Sequence, residues 1–161
     1  MRSWLVVLLC GGTFYVHAQG FQTKIISVIN GDTYEFLDED KEVVKVMLSE
    51  VDAPEPGQEF SDEASAFSKK ILLKKKVTIE FKGKDFFGNK LAIITLKDGS
   101  KIHDQLLENG LAMVRERKKD PELLKIQELA KSSKIGLWSI EEPVTPWVYR
   151  RQQTMLQAKS R

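Results

Sequence analysis

Apolar residues recur at strand-like spacing from Phe21 to Leu37, with Ile25-Ile26 and Val28-Ile29 before Asn30-Gly31-Asp32 and Tyr34 and Phe36 after it. Asn-Gly between two such runs is a strong hairpin signal. Asp38-Glu39-Asp40-Lys41 reads as a second turn, and Val43 to Val51 as the next strand, so the N-terminal part of the pattern predicts a three-stranded meander. Ala53-Pro54-Glu55-Pro56-Gly57 then breaks regular structure, because proline removes a donor and restrains the residue before it.

A helix is predicted from Ser61, which can cap it. Asp62 and Glu63 suit its first turn, and Ala64, Phe67 and Ile71 fall at helical spacing. Lys69, Lys70 and Lys74-Lys75-Lys76 load its far end, as a solvated helix end or an anion-binding patch. Val77 to Phe81 alternates as a strand, Lys84 to Asn89 is a turn, and Leu91 to Leu96 is a strand closed by Lys97-Asp98-Gly99-Ser100. A short helix, Ile102 to Glu108, stops at Asn109-Gly110, a left-handed cap. Leu111 to Val114 can be strand. Asp120-Pro121 opens a helix with proline at its first position, and it ends by Gly136. Trp138 reads as a core plug. The tail, Pro143 to Arg161, carries four basic residues and no acid, and is expected to pack Trp147 on the domain and then fray. The order βββ-α-ββ-α-α predicts an α+β, β-rich fold, a five-stranded Greek-key barrel of the OB-fold class with three helices.

At 161 residues the chain suggests one domain, but its first residues change what that domain contains. Met1-Arg2-Ser3 is a positive start, an apolar run reaches about Val16, and Val16-His17-Ala18 has the ending of a signal peptidase site. Residues 1–18 are therefore expected to be a signal peptide, 19–142 the folded domain and 143–161 a basic tail. The protein is then exported, periplasmic or secreted, with no membrane association after cleavage, and is expected to act as a monomer. Removing Cys10 with the leader leaves no cysteine, so a core rather than disulfides must hold the fold. Without Arg2 the balance is 24 basic residues against 23 acidic ones, which excludes a general polyanion-coating role and leaves nucleic-acid contact to a local patch.

Candidate chemistry lies in the first half. Asp32, Asp52 and Glu55 sit at the ends of strand-like runs, where side chains distant in sequence can converge as in a metal-assisted hydrolytic site. Each alone is as readily a turn acid. His103 is expected at the surface or as a cap, and the lack of a second histidine or cysteine beside it argues against a transition-metal site.

Together with Val28-Ile29-Asn30-Gly31-Asp32-Thr33 and Val51-Asp52-Ala53-Pro54-Glu55, the segments Glu63 to Phe67, Asp85-Phe86-Phe87-Gly88, Asn109-Gly110-Leu111-Ala112 and Gly136-Leu137-Trp138 resemble the staphylococcal nuclease family in order and spacing. Pro143 to Arg151 resembles the Pro-Trp-basic ending of its bacterial members. The resemblance implies a calcium-dependent endonuclease, a phosphodiesterase acting on DNA and RNA. It implies that Asp32, Asp52 and the main-chain carbonyl of Ala53 bind Ca2+ and that Glu55 is the general base or orients the attacking water. The donor types suit a hard divalent cation.

The same resemblance places two phosphate-holding arginines where this chain has Met47 and Asn89. A thioether cannot replace a bidentate guanidinium, and an amide offers only neutral hydrogen bonds. Lys45, on the same strand face as Met47 and roughly 6–7 Å along it, and Lys90, beside Asn89, are the candidate substitutes. Phe86 and Phe87 are candidates for base stacking or for hydrophobic anchoring. The expectation is a nuclease-family barrel of weakened or altered activity. The alternative is a non-catalytic nucleic-acid or protein binding module, in which the lysine run and Arg150-Arg151 matter more than the carboxylates.

Overall fold

The computed structural model describes residues 20–117 and 120–159, so the signal peptide expected at 1–18 lies outside the described residues. The elements in chain order are β1 (Phe21–Val28), β2 (Thr33–Leu37), β3 (Val43–Leu48), β4 (Val51–Asp52), α1 (Ser61–Leu72), β5 (Lys76–Lys84), β6 (Lys90–Leu96), α2 (Ile102–Glu108), β7 (Met113–Val114), α3 (Pro121–Ser132), a 3-10 turn (Gly136–Ser139) and α4 (Pro146–Lys159). Five strands close a barrel in the order β1-β2-β3-β6-β5, with β3 and β6 parallel and the other pairs antiparallel. This is the expected barrel.

Alternation builds its interior. Along β3, Val44, Val46 and Leu48 point inward while Val43 and Lys45 face solvent. Ile25, Tyr34, Phe36, Ile79 and Ile94 from the other strands are fully buried, and Ile102, Leu106 and Leu107 of α2 join the same cluster. Each such side chain contributes about 1.5–3 kcal/mol of burial. Phe21 and Phe81 pack on Phe36, with ring centroids 5.3 and 6.3 Å from it.

The expected strand from Val43 to Val51 is two. β3 ends at Leu48, Ser49 N–H donates to Ala92 O at 2.9 Å, and the chain then leaves the barrel to pair β4 with β7. Gly31 also differs from its expected role. Its φ is not positive; instead a Cβ there would fall 2.7 Å from the Ala53 Cβ and 2.8 Å from the Ala64 Cβ. The turn is closed by Asn30 Oδ1 accepting from Asp32 N–H at 3.1 Å, and the missing side chain at Gly31 lets three segments approach.

Three further expectations are corrected. Ser61 is the first helical residue rather than the cap, a position held by Phe60 at φ 65°. The plug after α3 is the buried Leu137, while Trp138 is only half-buried. The tail does not fray at once: Pro146 is buried at the start of α4, which runs to Lys159 with residues 151–159 exposed, so the helices number four among the described residues.

His103 is not at the surface either. It is 2 % exposed, and its Nδ1 has no hydrogen-bond partner among the described residues. Burial pushes its imidazole below the ordinary histidine range, against the pull of Asp104, whose Oδ1 lies 3.4 Å from Nε2. A depressed folded-state value means that the unfolded chain takes up the proton first. The corresponding stability is complete above about pH 6.5 and is lost as pH falls through that value. His103→Gln is therefore expected to flatten the acid-side decline of Tm between pH 7.5 and 5.5. A difference curve parallel to the parent protein across that range would refute it.

Candidate active site

The carboxylates are placed by the turn and by the exit from the barrel. Tyr34 Oη and Ser68 Oγ both donate to Gly31 O, at 2.5 and 2.7 Å, pinning the β1–β2 turn to α1. Asp32 follows directly, buried, with Oδ1 accepting from Thr33 Oγ1 at 2.8 Å and Oδ2 from Ala53 N–H at 3.0 Å. Burial first, and then the neighbouring charge of Asp52, push its carboxyl up to about 7, against the two hydrogen bonds and Arg115. Asp52 is buried at the end of β4, fixed by its register with Met113.

Glu55 lies in the proline-flanked loop, and one side chain ties that loop to the C-terminal segment. Gln58 Oε1 accepts from Glu55 N–H at 3.0 Å, while its Nε2 donates to Val144 O at 2.6 Å, just before α4. From α4, Arg150 reaches two of the candidate carboxylates, Asp52 and Glu55. Its Nη2 donates to Asp52 Oδ1 and Oδ2 at 2.9 and 3.1 Å, its Nε donates to Glu55 Oε1 at 2.7 Å, and Nη2 lies 2.5 Å from the same Glu55 oxygen. Burial works against the charge of Arg150, and Asp52 and Glu55 outweigh it, raising its pKa above the ordinary value.

A second guanidinium comes from the residue after β7. Arg115 Nε donates to Val51 O at 2.9 Å, and its Nη2 lies 3.7 Å from Asp52 Oδ1. That Nη2 is buried and has no hydrogen-bond partner among the described residues.

The structure thus sets Asp32 against the Ala53 main chain and ties Asp52 and Glu55 to one guanidinium, and adds two arginines that the sequence reading had not assigned to the site. The residues at the family's arginine positions do other things. Met47 sits half-buried opposite Thr33. Asn89 Nδ2 donates to Asp85 Oδ2 at 2.9 Å and its N–H to Oδ1 at 2.8 Å, so its amide closes the turn. Lys45 is exposed opposite Glu35, and Lys90 Nζ stands 5.7 Å from the Phe81 ring centroid. Phe86 and Phe87 are 95 % and 80 % exposed and contact each other edge to face at 5.4 Å, so they do not anchor the turn in the core. Lys69 and Lys70 are exposed at the end of α1, with Lys74 to Lys76 beyond it, and none of these appears in the site's bonds.

Among the described residues no three carboxylate, histidine or cysteine side chains are gathered as a metal cluster. The donors nevertheless fit calcium. Two carboxylates stand close enough for one to resist ionisation beside the other, in a buried setting where a divalent cation relieves the repulsion, and the Ala53 carbonyl is a further hard oxygen in the same segment. Asp32 and Asp52, with the main-chain oxygen of Ala53, are the groups that would hold the ion.

A signal for Arg150 was present in the sequence: the Pro-Trp-basic ending places an arginine one helical turn after Pro146-Trp147. Arg115 carried none, because the pairing of two dipeptide strands that brings it to Val51 is not encoded by any local pattern.

Comparison with known proteins gives the same picture. Residues 45–140 match the family model described as "Staphylococcal nuclease homologue". The chain is 30% identical over 154 residues to a protein of Escherichia coli O157:H7 named "Uncharacterized endonuclease", covering 95% of this chain and 100% of that one. A Haemophilus influenzae protein of the same name is 30% identical over 131 residues, 81% of this chain and 73% of its own. A "Micrococcal nuclease" of Shigella flexneri is 23% identical over 142 residues, 81% of each chain. With the closed barrel, these similarities establish that the chain belongs to the staphylococcal nuclease family.

Proposed function

We propose that the protein is an exported, calcium-dependent nuclease that acts as a monomer and hydrolyses phosphodiester bonds of DNA and RNA, with a phosphate-holding half altered from the family pattern. The observation that carries this reading is that Asp52 and Glu55 share the Arg150 guanidinium while Asp32, 20 residues before Asp52, is bonded to the N–H of Ala53 between them. Asp32, Asp52 and the Ala53 carbonyl would hold calcium, which would offset the phosphate charge and make phosphorus more electrophilic. Glu55 takes a proton from a water as its oxygen bonds to phosphorus; the bond to one ester oxygen breaks, and that oxygen leaves with a proton from solvent. For this, Glu55 Oε1 must be released by Arg150, whose Nε donates to it at 2.7 Å and occupies the oxygen that would accept from water.

Single-stranded DNA and RNA incubated with the protein are expected to be cleaved in calcium and left intact in chelator. Calcium is also expected to raise Tm, because it binds the folded carboxylates and not the unfolded chain. Salt-sensitive binding with no cleavage, and no calcium effect on Tm, would leave the binding module as the reading that stands. Export is checked by the N-terminus of the protein recovered outside the cytoplasm, which is expected to begin at Gln19.

A further inference from the structure

We propose that Arg115 and Arg150 are the groups that hold the phosphate, delivered from β7 and α4 in place of side chains at positions 47 and 89; this rests on the nuclease reading above. Both guanidinium groups converge on a single oxygen, Asp52 Oδ1, with Arg115 Nη2 at 3.7 Å and Arg150 Nη2 at 2.9 Å. Two like charges so close repel unless an anion lies between them. Here Asp52 is that anion, and it is also a candidate calcium ligand. When a cation takes Asp52, the two arginines lose their shared counter-charge, and a phosphodiester oxygen can replace it.

Each arginine is suited to this in a different way. Arg115 is fixed by its bond to Val51 O, 19 % exposed, and holds an N–H group with no acceptor among the described residues, the condition of a donor whose acceptor is a ligand. Arg150 is 40 % exposed on a helix whose first turn alone is packed, so its head can move while its base stays in place. Its transfer from Glu55 to phosphate frees the base as the substrate arrives. A guanidinium exchanges a carboxylate for a phosphate readily because both present two oxygens at the spacing of its fork. The side chains at the other two positions have no such charge: Met47 is apolar, and Asn89 is spent on Asp85.

The test uses the purified protein with Arg115→Gln, Arg150→Gln and Arg151→Gln, the last an equal loss of charge from an exposed neighbour on α4. The affinity of a deoxynucleoside 5′-monophosphate at fixed calcium is read by calorimetry, alongside calcium affinity and turnover of single-stranded DNA. Arg115→Gln and Arg150→Gln are each expected to weaken the mononucleotide at least about tenfold and to lower turnover about 10²-fold, without loss of calcium affinity. Arg151→Gln is expected to change neither. If Arg150→Gln leaves mononucleotide affinity alone and raises turnover, Arg150 is an autoinhibitory plug and the proposal fails for it. Unchanged mononucleotide affinity in Arg115→Gln overturns the proposal for that residue. Should a Gln variant fail to fold, Arg→Lys at the same position decides: charge without the fork is expected to give an intermediate affinity, and parent-like affinity overturns the bidentate role. A parent protein that cleaves nothing in calcium overturns the nuclease reading, whereas mononucleotide affinity still decides the arginines.

Discussion

Glu55→Gln is expected to lower kcat on single-stranded DNA by about 10²–10⁴-fold, the usual worth of a positioned general base. The substitution is nearly isosteric, and Gln retains an oxygen that can accept from Arg150 Nε, now 2.7 Å from Glu55 Oε1. The loop should keep its form because its anchor is the main chain: Glu55 N–H remains bonded to Gln58 Oε1. Calcium affinity is expected to stay within a few-fold, since the proposed ligands are Asp32, Asp52 and the Ala53 carbonyl. Measured together, turnover and calcium binding separate loss of the base from loss of the metal site. A kcat within threefold of the parent would remove Glu55 from the chemistry.

The second large effect is structural. Gly110→Ala is expected to destabilise the protein by about 3 kcal/mol, combining the cost of a left-handed non-glycine residue with a backbone clash. Gly110 has φ 61°, and a Cβ built on it falls on the carbonyl oxygen of Ile135. Gly136, at φ 57°, faces it in the same way, and Leu137 N–H donates to Gly110 O at 2.8 Å. The end of α2 and the start of the 3-10 turn therefore pass each other with no room for a side chain. Because β7 begins three residues after Gly110 and sets both Asp52 and Arg115, the damage should reach the site as well as the fold. Urea unfolding measures the first effect, and mononucleotide affinity at a temperature where the variant is folded measures the second. A loss below about 1 kcal/mol would mean that the two segments can separate freely, contrary to the contact described.

The barrel was legible in the sequence because its determinants are local. Alternation at Val43 to Leu48 and Val77 to Phe81, proline at the start of α3 and glycine after α2 each act within a few residues. The carboxylates Asp32 and Asp52 and the loop acid Glu55 were legible for a related reason: they follow strand ends or turns, where the chain's own geometry sets their direction. By itself, then, the sequence determined the barrel, the positions of the three acids and the absence of arginine at 47 and 89.

What only the tertiary structure decided depends on contacts between distant segments. Gly31 reads as a turn former, yet its role is to let Ala53 and Ala64 approach, which no neighbour in sequence reveals. His103 reads as polar and exposed, but the packing of α2 buries it. The apolar run Leu111 to Val114 shows that a strand can form there, and β7 does, but not that it pairs with β4, and that pairing carries Arg115 to Val51. Arg150 reaches Asp52 across 98 positions of chain because Gln58 and Val144 dock the base of α4 beside the Glu55 loop. Periodicity reports which face of an element is buried; it holds no information about which elements meet. The cationic half of this site is a product of such meetings, and so it became visible only in the folded chain.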